Sequence, residues 1–445
     1  MECSGCQSQN APDATFCTQC GKALGEQPMS STPQTASEEW SRHWPLVLAG
    51  LVGMSFLTAI STSLGMFMEP LQHDFGWSRE EISLGLTIFT GVAIVGSTFM
   101  GALIDHLGTR PIAIIGMTLS AAAFAAFGLA NRSMQSWIGL WVILAFVALA
   151  IKSTVWTAAV SSVFTVSRGL ALAVVLSGTA LGLYLAPIIT RSLIDSHGWR
   201  SAYAFIGAGW GGISVTLAIL FFHDAREIGG LTGGEQRLTG LSVSQALRSS
   251  QFLRIAGASL VMSLISTGVT IFLFPILVET GLDRATTAEI ATTLGIAAIA
   301  GKLVTGWLLD RFQGDVIPFS SFALSALGYF LLLNYLHSTS ALMLGGIVLG
   351  FSSGATLQVT TYLVSRYTGL RSFGTMYGMI GSALGLGALY GPMISGLFFD
   401  GTGGGAAMLT TAIPVALVCA MMMIGLGPYP DFGMNDESMV ENGDG

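Results

Sequence analysis

The chain has 445 residues, 52% of them hydrophobic and only 10% charged, with a mean hydropathy of +0.68. A soluble domain carries about 25% charged residues, so a soluble globular protein of this length is excluded: too few charges exist to cover its surface. The net charge of −7 includes no basic stripe, and no nucleic-acid partner is expected.

In chain order, the first 42 residues are polar and hold no apolar central run, so no signal peptide is expected and the start is placed in the cytosol. Cys3-Ser-Gly-Cys6 and Cys17-Thr-Gln-Cys20 form two Cys-x-x-Cys knuckles ten residues apart. Four thiolates so spaced suit a tetrahedral zinc ion, and Gly5 and Gly21 permit the tight turns around it. Residues 1–24 are therefore expected to be a small zinc ribbon with a structural metal. The rival, a disulfide pair, is disfavoured in a reducing compartment. Residues 25–43, rich in Ser, Thr, Gln and Pro, read as a flexible tether.

Beyond the tether, charges bunch and leave long neutral runs, among them residues 82–104, 112–130 and 406–429. Each is near the roughly 20 residues that a helix needs to cross about 30 Å of hydrocarbon. Twelve such spans begin near Pro45, Ile82, Pro111, Trp137, Gly169, Ser201, Phe252, Thr287, Ile317, Ala341, Phe373 and Ala406. Helices are expected because lipid offers no partner to an unpaired backbone group. The polar stretch 223–250 divides the spans into six-helix bundles at 44–222 and 251–427. Residues 428–445 form an acidic tail expected to be disordered. With the start inside, eleven Lys and Arg residues face the cytosol and five the outside, as the positive-inside rule requires, and both termini are cytoplasmic. Cys419, in the last span, reads as packing.

The strongest organisational signal is a repeat at a fixed offset of 205 residues. It pairs Pro70 with Pro275, Arg79 with Arg284, Gly101 with Gly306, Asp105 with Asp310, Gly169 with Gly374, Pro187 with Pro392, and Asp195 with Asp400. Glycine matches are cheap in a chain with 57 glycines; the proline, Asp and Arg pairs are not. Six spans return to the starting side, so the halves are parallel, related by an axis along the membrane normal.

Gly101-Ala-Leu-Ile-Asp105-His106-Leu-Gly108-Thr-Arg110 resembles the loop motif between the second and third helices of the major facilitator superfamily. Gly301-Lys302-Leu-Val-Thr-Gly306-Trp-Leu-Leu-Asp310-Arg311 resembles its echo, and Gly198-Trp199-Arg200 the opening of that family's sixth helix. The resemblance covers roughly residues 45–426. Phe75-Gly76-Trp77-Ser78-Arg79 and Arg168-Gly169-Leu-Ala171 look like bacterial relatives of monocarboxylate transporters and oxalate/formate exchangers, which implies a carboxylate cargo and a bacterial inner membrane. In the loop motifs an Asp at a helix end can bond the next helix's N-terminus and a nearby Arg. Asp105 with Arg110, and Asp310 with Arg311, are thus gating candidates.

Residues that break the repeat are informative, because a scaffold needs symmetry and an asymmetric substrate does not. Lys152 pairs with Leu357 and Lys302 with Ser97. Lys302 lies eight residues before Asp310, about 12 Å along a helix. Lys152 is fifteen residues after Trp137 and sixteen before Arg168, near mid-membrane. A buried ammonium there needs a cavity or a partner, yet no Asp or Glu stands mid-span. The matching anion is then the substrate, with Lys302 and Lys152 as its ligands. A neutral or structurally hydrogen-bonded lysine is the rival for Lys152. Trp156, one turn on, and Gln358, repeat mate of Ser153, are further candidates. Proton-coupled relatives place an Asp where Ala298 stands, and oxalate exchangers a Lys that 373–400 lacks, so neither activity is supported.

The expectation is an all-α polytopic carrier of a small organic anion, a monocarboxylate by preference, working by alternating access, with no organic cofactor. Alternatives are efflux of hydrophobic or amphipathic compounds, and a membrane sensor signalling through its zinc ribbon to a cytosolic protein. No nucleophile–base constellation or phosphate loop suggests an enzyme.

Overall fold

A computed structural model describes residues 35–225, 239–333, 337–402 and 404–432, together with Ser8 and Gln19. Among these residues the chain is helical, apart from loops and an isolated antiparallel bridge between Gly240 and Gly369. The N-terminal half runs α1 (Ala36–Thr62), α2 (Leu64–Phe75), α3 (Arg79–Leu107), α4 (Thr109–Ala125), α5 (Met134–Ala148), α6 (Ser153–Val163), α7 (Arg168–Phe205) and α8 (Gly212–Phe221). After a short α9 (Val243–Arg248), the C-terminal half runs α10 (Ser250–Glu279), α11 (Arg284–Arg311), α12 (Val316–Leu332), α13 (Thr339–Tyr367), α14 (Phe373–Thr402) and α15 (Gly405–Met421).

The repeat is visible in where helices start. Arg79 and Arg284 open α3 and α11, Met134 and Thr339 open α5 and α13, and Arg168 and Phe373 open α7 and α14, each pair at the 205-residue offset. The preceding caps are also repeat mates. Ser78 forms a capping box with Glu81, and Asp283 accepts from the N–H groups of Ala285 and Thr286. Bonds from Thr286 hold the Asp283 carboxyl below its ordinary value, since they favour the charged form.

Nine described helices are long and apolar enough to cross a membrane, and Val316–Leu332 and Gly405–Met421 are shorter apolar helices. The run Arg168–Phe221 has 54 residues, about 80 Å as one straight helix against about 30 Å of hydrocarbon. Gly198, at φ 77° and ψ 161°, breaks it, a backbone conformation that favours glycine. Large apolar side chains face outward, with Phe99 and Leu129 exposed by 73% and 83%. That arrangement suits lipid as the solvent. The chain is an integral membrane protein.

Three boundaries depart from the sequence reading. Helix α1 starts at Ala36, inside the presumed tether, because Thr35 and Glu38 cap it reciprocally. The stretch 223–250 is partly structured: Ser242 and Gln245 cap α9, and the Thr239 carbonyl accepts from the Leu370 N–H. The tail is anchored at its start, where Tyr429 packs on Tyr362 and Tyr367 under the Arg366 guanidinium. Aromatic area holds those residues despite the acids that follow.

Candidate functional site

Both halves meet along two seams, each built on small residues. In the first, Gly101 of α3 faces the Gly374 carbonyl of α14, and Gly378 faces the Ser97 carbonyl at 2.5 Å from an ideal Cβ. In the second, Gly306 of α11 faces the Gly169 carbonyl and Ala173 of α7. Absent side chains let the backbones approach closely, as membrane helices require when no hydrophobic force drives them together.

Each seam ends in a carboxylate that caps a helix of the opposite half. Asp105 accepts from the N–H groups of Gly374 and Thr375, both at 2.7 Å, and from the Thr375 hydroxyl at 2.6 Å. Asp310 accepts from Gly169 N–H at 2.6 Å and Leu170 N–H at 2.8 Å. The four residues Asp105, Asp310, Gly169 and Gly374 are two repeat pairs, so one clamp is the image of the other. Negative charge at a helix N-terminus is favoured by the unpaired N–H groups and the helix dipole.

The partner differs from the expectation. The start of the next helix, α4, is served by another carboxylate: the Thr109 N–H and hydroxyl are bonded by Asp224 at 3.0 and 3.1 Å. A capping carboxylate is free to come from anywhere in the fold, and here proximity across the seam decides. Arg110 donates to the Ile219 carbonyl at 3.2 Å, and Arg311 stacks on Trp307 at 4.3 Å. Gly198-Trp199-Arg200 supplies another lock: Trp199 and Arg200 both donate to the Asp74 carboxylate, at 2.8 and 3.1 Å.

Lys302 lies in the second seam and is only 6% exposed. Its ammonium donates across the halves to the Leu176 carbonyl at 3.0 Å and the Thr179 hydroxyl at 2.8 Å. Both partners are neutral. Lys152 sits where the fourth predicted span breaks: a 3-10 turn at Leu149–Ile151 ends, Lys152 is extended at φ −64° and ψ 165°, and α6 begins. Such a break leaves the first N–H groups of α6 without intrahelical acceptors. The ammonium is partly buried and has no hydrogen-bond or ion-pair partner among the described residues. Helix α6, which begins at the break, packs against α14, so the break faces the opposite half.

The other two candidates are engaged elsewhere. Trp156 is fully buried, its ring against Gly53 and Phe222, its N–H bonded to the Ile151 carbonyl at 2.8 Å. In this conformation it is a packing residue of the N-terminal half. Gln358 donates to the Gly169 carbonyl at 2.7 Å and so joins the Asp310 clamp. Sequence reasoning missed Thr179, which its repeat mate Leu384 marks as another break in symmetry. It also missed Asp224 and Asp74, for which no sequence signal exists. Cys3, Cys6, Cys17 and Cys20 lie outside the described residues; among those described, no group of three or more His, Cys, Asp or Glu gathers into a metal site.

A family model described as Major Facilitator Superfamily matches residues 50–320 and 257–433. The chain is 25% identical over 389 residues to Monocarboxylate transporter 13 of Rattus norvegicus, covering 86% of this chain and 88% of that protein. It is 26% identical over 415 residues to Monocarboxylate transporter 11 of Homo sapiens, covering 89% and 85%. With Uncharacterized MFS-type transporter YcxA of Bacillus subtilis (strain 168) the identity is 24% over 412 residues, covering 87% and 95%. Among solved structures, the human organic anion transporter MFSD10 (TETRAN) aligns with a TM-score of 0.64 at 16% identity, covering 85% of this chain and 99% of that one. At that identity the likeness concerns the fold.

Proposed function

The chain belongs to the Major Facilitator Superfamily, and on that premise we propose that it is a secondary carrier of a small organic anion, a monocarboxylate by preference. The observation that carries the reading is a pair of ammonium groups within the membrane layer that have no carboxylate partner among the described residues. Lys152 has no polar partner among the described residues, and Lys302 has only neutral oxygens. An uncompensated cation at that depth is expensive, and an anionic cargo neutralises it. The printed names of the relatives, monocarboxylate transporters among them, support the same cargo class.

Counting the broken run 168–221 as two crossings brings the spans to twelve, in bundles 44–222 and 251–427. The excess of basic residues at the Asp105 and Asp310 end supports reading that end as cytosolic. Alternating access then follows from the seams. With both clamps made, the cytoplasmic end is shut and the carrier is open to the outside. Release of the Asp310 clamp also pulls Lys302 from Leu176 and Thr179, so the charge that binds cargo and the gate that releases it share one helix. A population shift of this kind needs only a differential affinity of cargo for the two states.

Proteoliposomes offered a panel of labelled carboxylates, with and without a pH gradient, test the reading. Lys302→Gln and Lys152→Gln are expected to weaken anion binding about 10- to 100-fold, the worth of a hydrogen bond to a charged group. Lys302→Arg keeps part of the function, since charge stays while geometry changes. Wild-type affinity in both well-folded Gln variants overturns the proposal and turns attention to apolar cargo. The zinc ribbon is proposed as a structural appendage, so deletion of residues 1–24 leaves flux in place.

A further inference from the structure

A cavity of 170 Å³ opens in the C-terminal half between α10, α13 and α14. Its wall carries seven hydroxyls, from Ser259, Ser263, Ser266, Thr267, Ser353, Thr356 and Thr360, and no ionisable residue. Several are already donors: Thr356 to the Ser352 carbonyl, Thr360 to the Thr356 carbonyl, and Ser263 to the Leu384 carbonyl. A hydroxyl that has donated keeps acceptor lone pairs. Ser353 and Thr267, also in the wall, have no side-chain hydrogen bond among the described residues. The cavity therefore offers both acceptors and donors, all neutral.

The repeat tells what this cavity corresponds to. Leu357 and Leu384 also line it, and at the 205-residue offset their mates are Lys152 and Thr179, the latter bonded to the Lys302 ammonium. Ser353 and Thr356 have Ala148 and Ile151 as mates. Ser259 and Thr360 likewise stand opposite Met54 and Val155, whereas Ser263, Ser266 and Thr267 keep hydroxyl mates in Thr58, Ser61 and Thr62. The two halves have thus diverged in part: the N-terminal one gains the Lys152 charge, and the C-terminal one gains hydroxyls on α13 with no charge. Two repeat-related seats, one with an added charge and the other with added hydroxyls, fit a cargo with two unlike ends.

We propose that this cavity seats the uncharged, hydroxylated end of the carried anion, so that the cargo is a carboxylate bearing two or more hydroxyl groups. The proposal rests on the anion-carrier reading above and narrows it. Size agrees: at about 30 Å³ per water the cavity has room for five or six waters, the room of a diol fragment and not of a long chain. Energetics agree as well. A polyol replaces those waters bond for bond, whereas a methyl group strands the wall's polar atoms, and sites built to bond a substrate hydroxyl reject the analogue that lacks it.

The test compares glycerate with propionate, acids of one carbon skeleton and one charge, in proteoliposomes containing the full chain. Glycerate is expected to bind at least about tenfold more tightly. Ser353→Ala and Thr267→Val, which break no side-chain hydrogen bond among the described residues, are expected to cut the glycerate-to-propionate preference by about three- to tenfold, the worth of one neutral hydrogen bond. Unchanged detergent melting confirms that the variants are folded. Equal affinity for the two acids, or an unaltered preference in both variants, overturns the cavity assignment while leaving the anion carrier standing. Entry of neither acid, with flux of an apolar compound instead, overturns the carrier reading and this one with it.

Discussion

Replacing Asp310 by Asn should open the closed end of the molecule, and the size of the effect follows from the bonds. The carboxylate accepts from two N–H groups, at 2.6 and 2.8 Å. An asparagine keeps one oxygen and turns a donor toward the other N–H, so at least one bond to a charged group is lost, about 2 kcal/mol. Loss of charge at the α7 N-terminus adds to this. Two kcal/mol is about 30-fold in the ratio of closed to open states. Asp105→Asn should exceed it, because three bonds converge on that carboxylate. Both clamps stabilise one closed state, so the double variant should shift the ratio by about the product. The reporter is Thr98→Cys, whose native hydroxyl meets Ser382 across the first seam at 3.1 Å, in a background with the five native cysteines replaced by Ser. Its rate of reaction with an impermeant maleimide, added from the Asp105 face, reads the open fraction. Wild-type labelling rates in both single variants, with normal melting, would refute the clamps as gates and leave them as helix caps.

Other perturbations are expected to act as follows. Gly101→Val places a side chain against the Gly374 carbonyl; overpacking of about 1–3 kcal/mol should lower detergent melting and raise Thr98→Cys labelling. Purified, reduced protein should carry about one zinc per chain, lost in Cys17→Ser with Cys20→Ser while transport persists; metal near zero in the unaltered protein removes the ribbon.

Much of the architecture is set by local properties. Neutral runs between charges mark the crossings because lipid tolerates only satisfied backbones. The starts of α3, α11, α7 and α14 follow the repeat because their caps and charges recur with it. Lys152 and Lys302 stood out for breaking it. The tertiary structure decided the rest. Asp105 bonds a helix 269 residues away in sequence, and no local pattern says which N-terminus a carboxylate will find. The break before α6 carries no proline or glycine, so the 3.6-residue period ran through it unmarked. Trp156 and Gln358 look polar enough to meet a solute until packing turns one into its own bundle and the other onto Gly169. The wall hydroxyls of α10 and α13 are 86 to 101 residues apart in sequence, ordinary membrane-helix serines and threonines until two helices face each other and make them one wall. Periodicity and charge are properties of a segment, readable along the chain; a partner across a seam is a property of the fold, and only the fold supplies it.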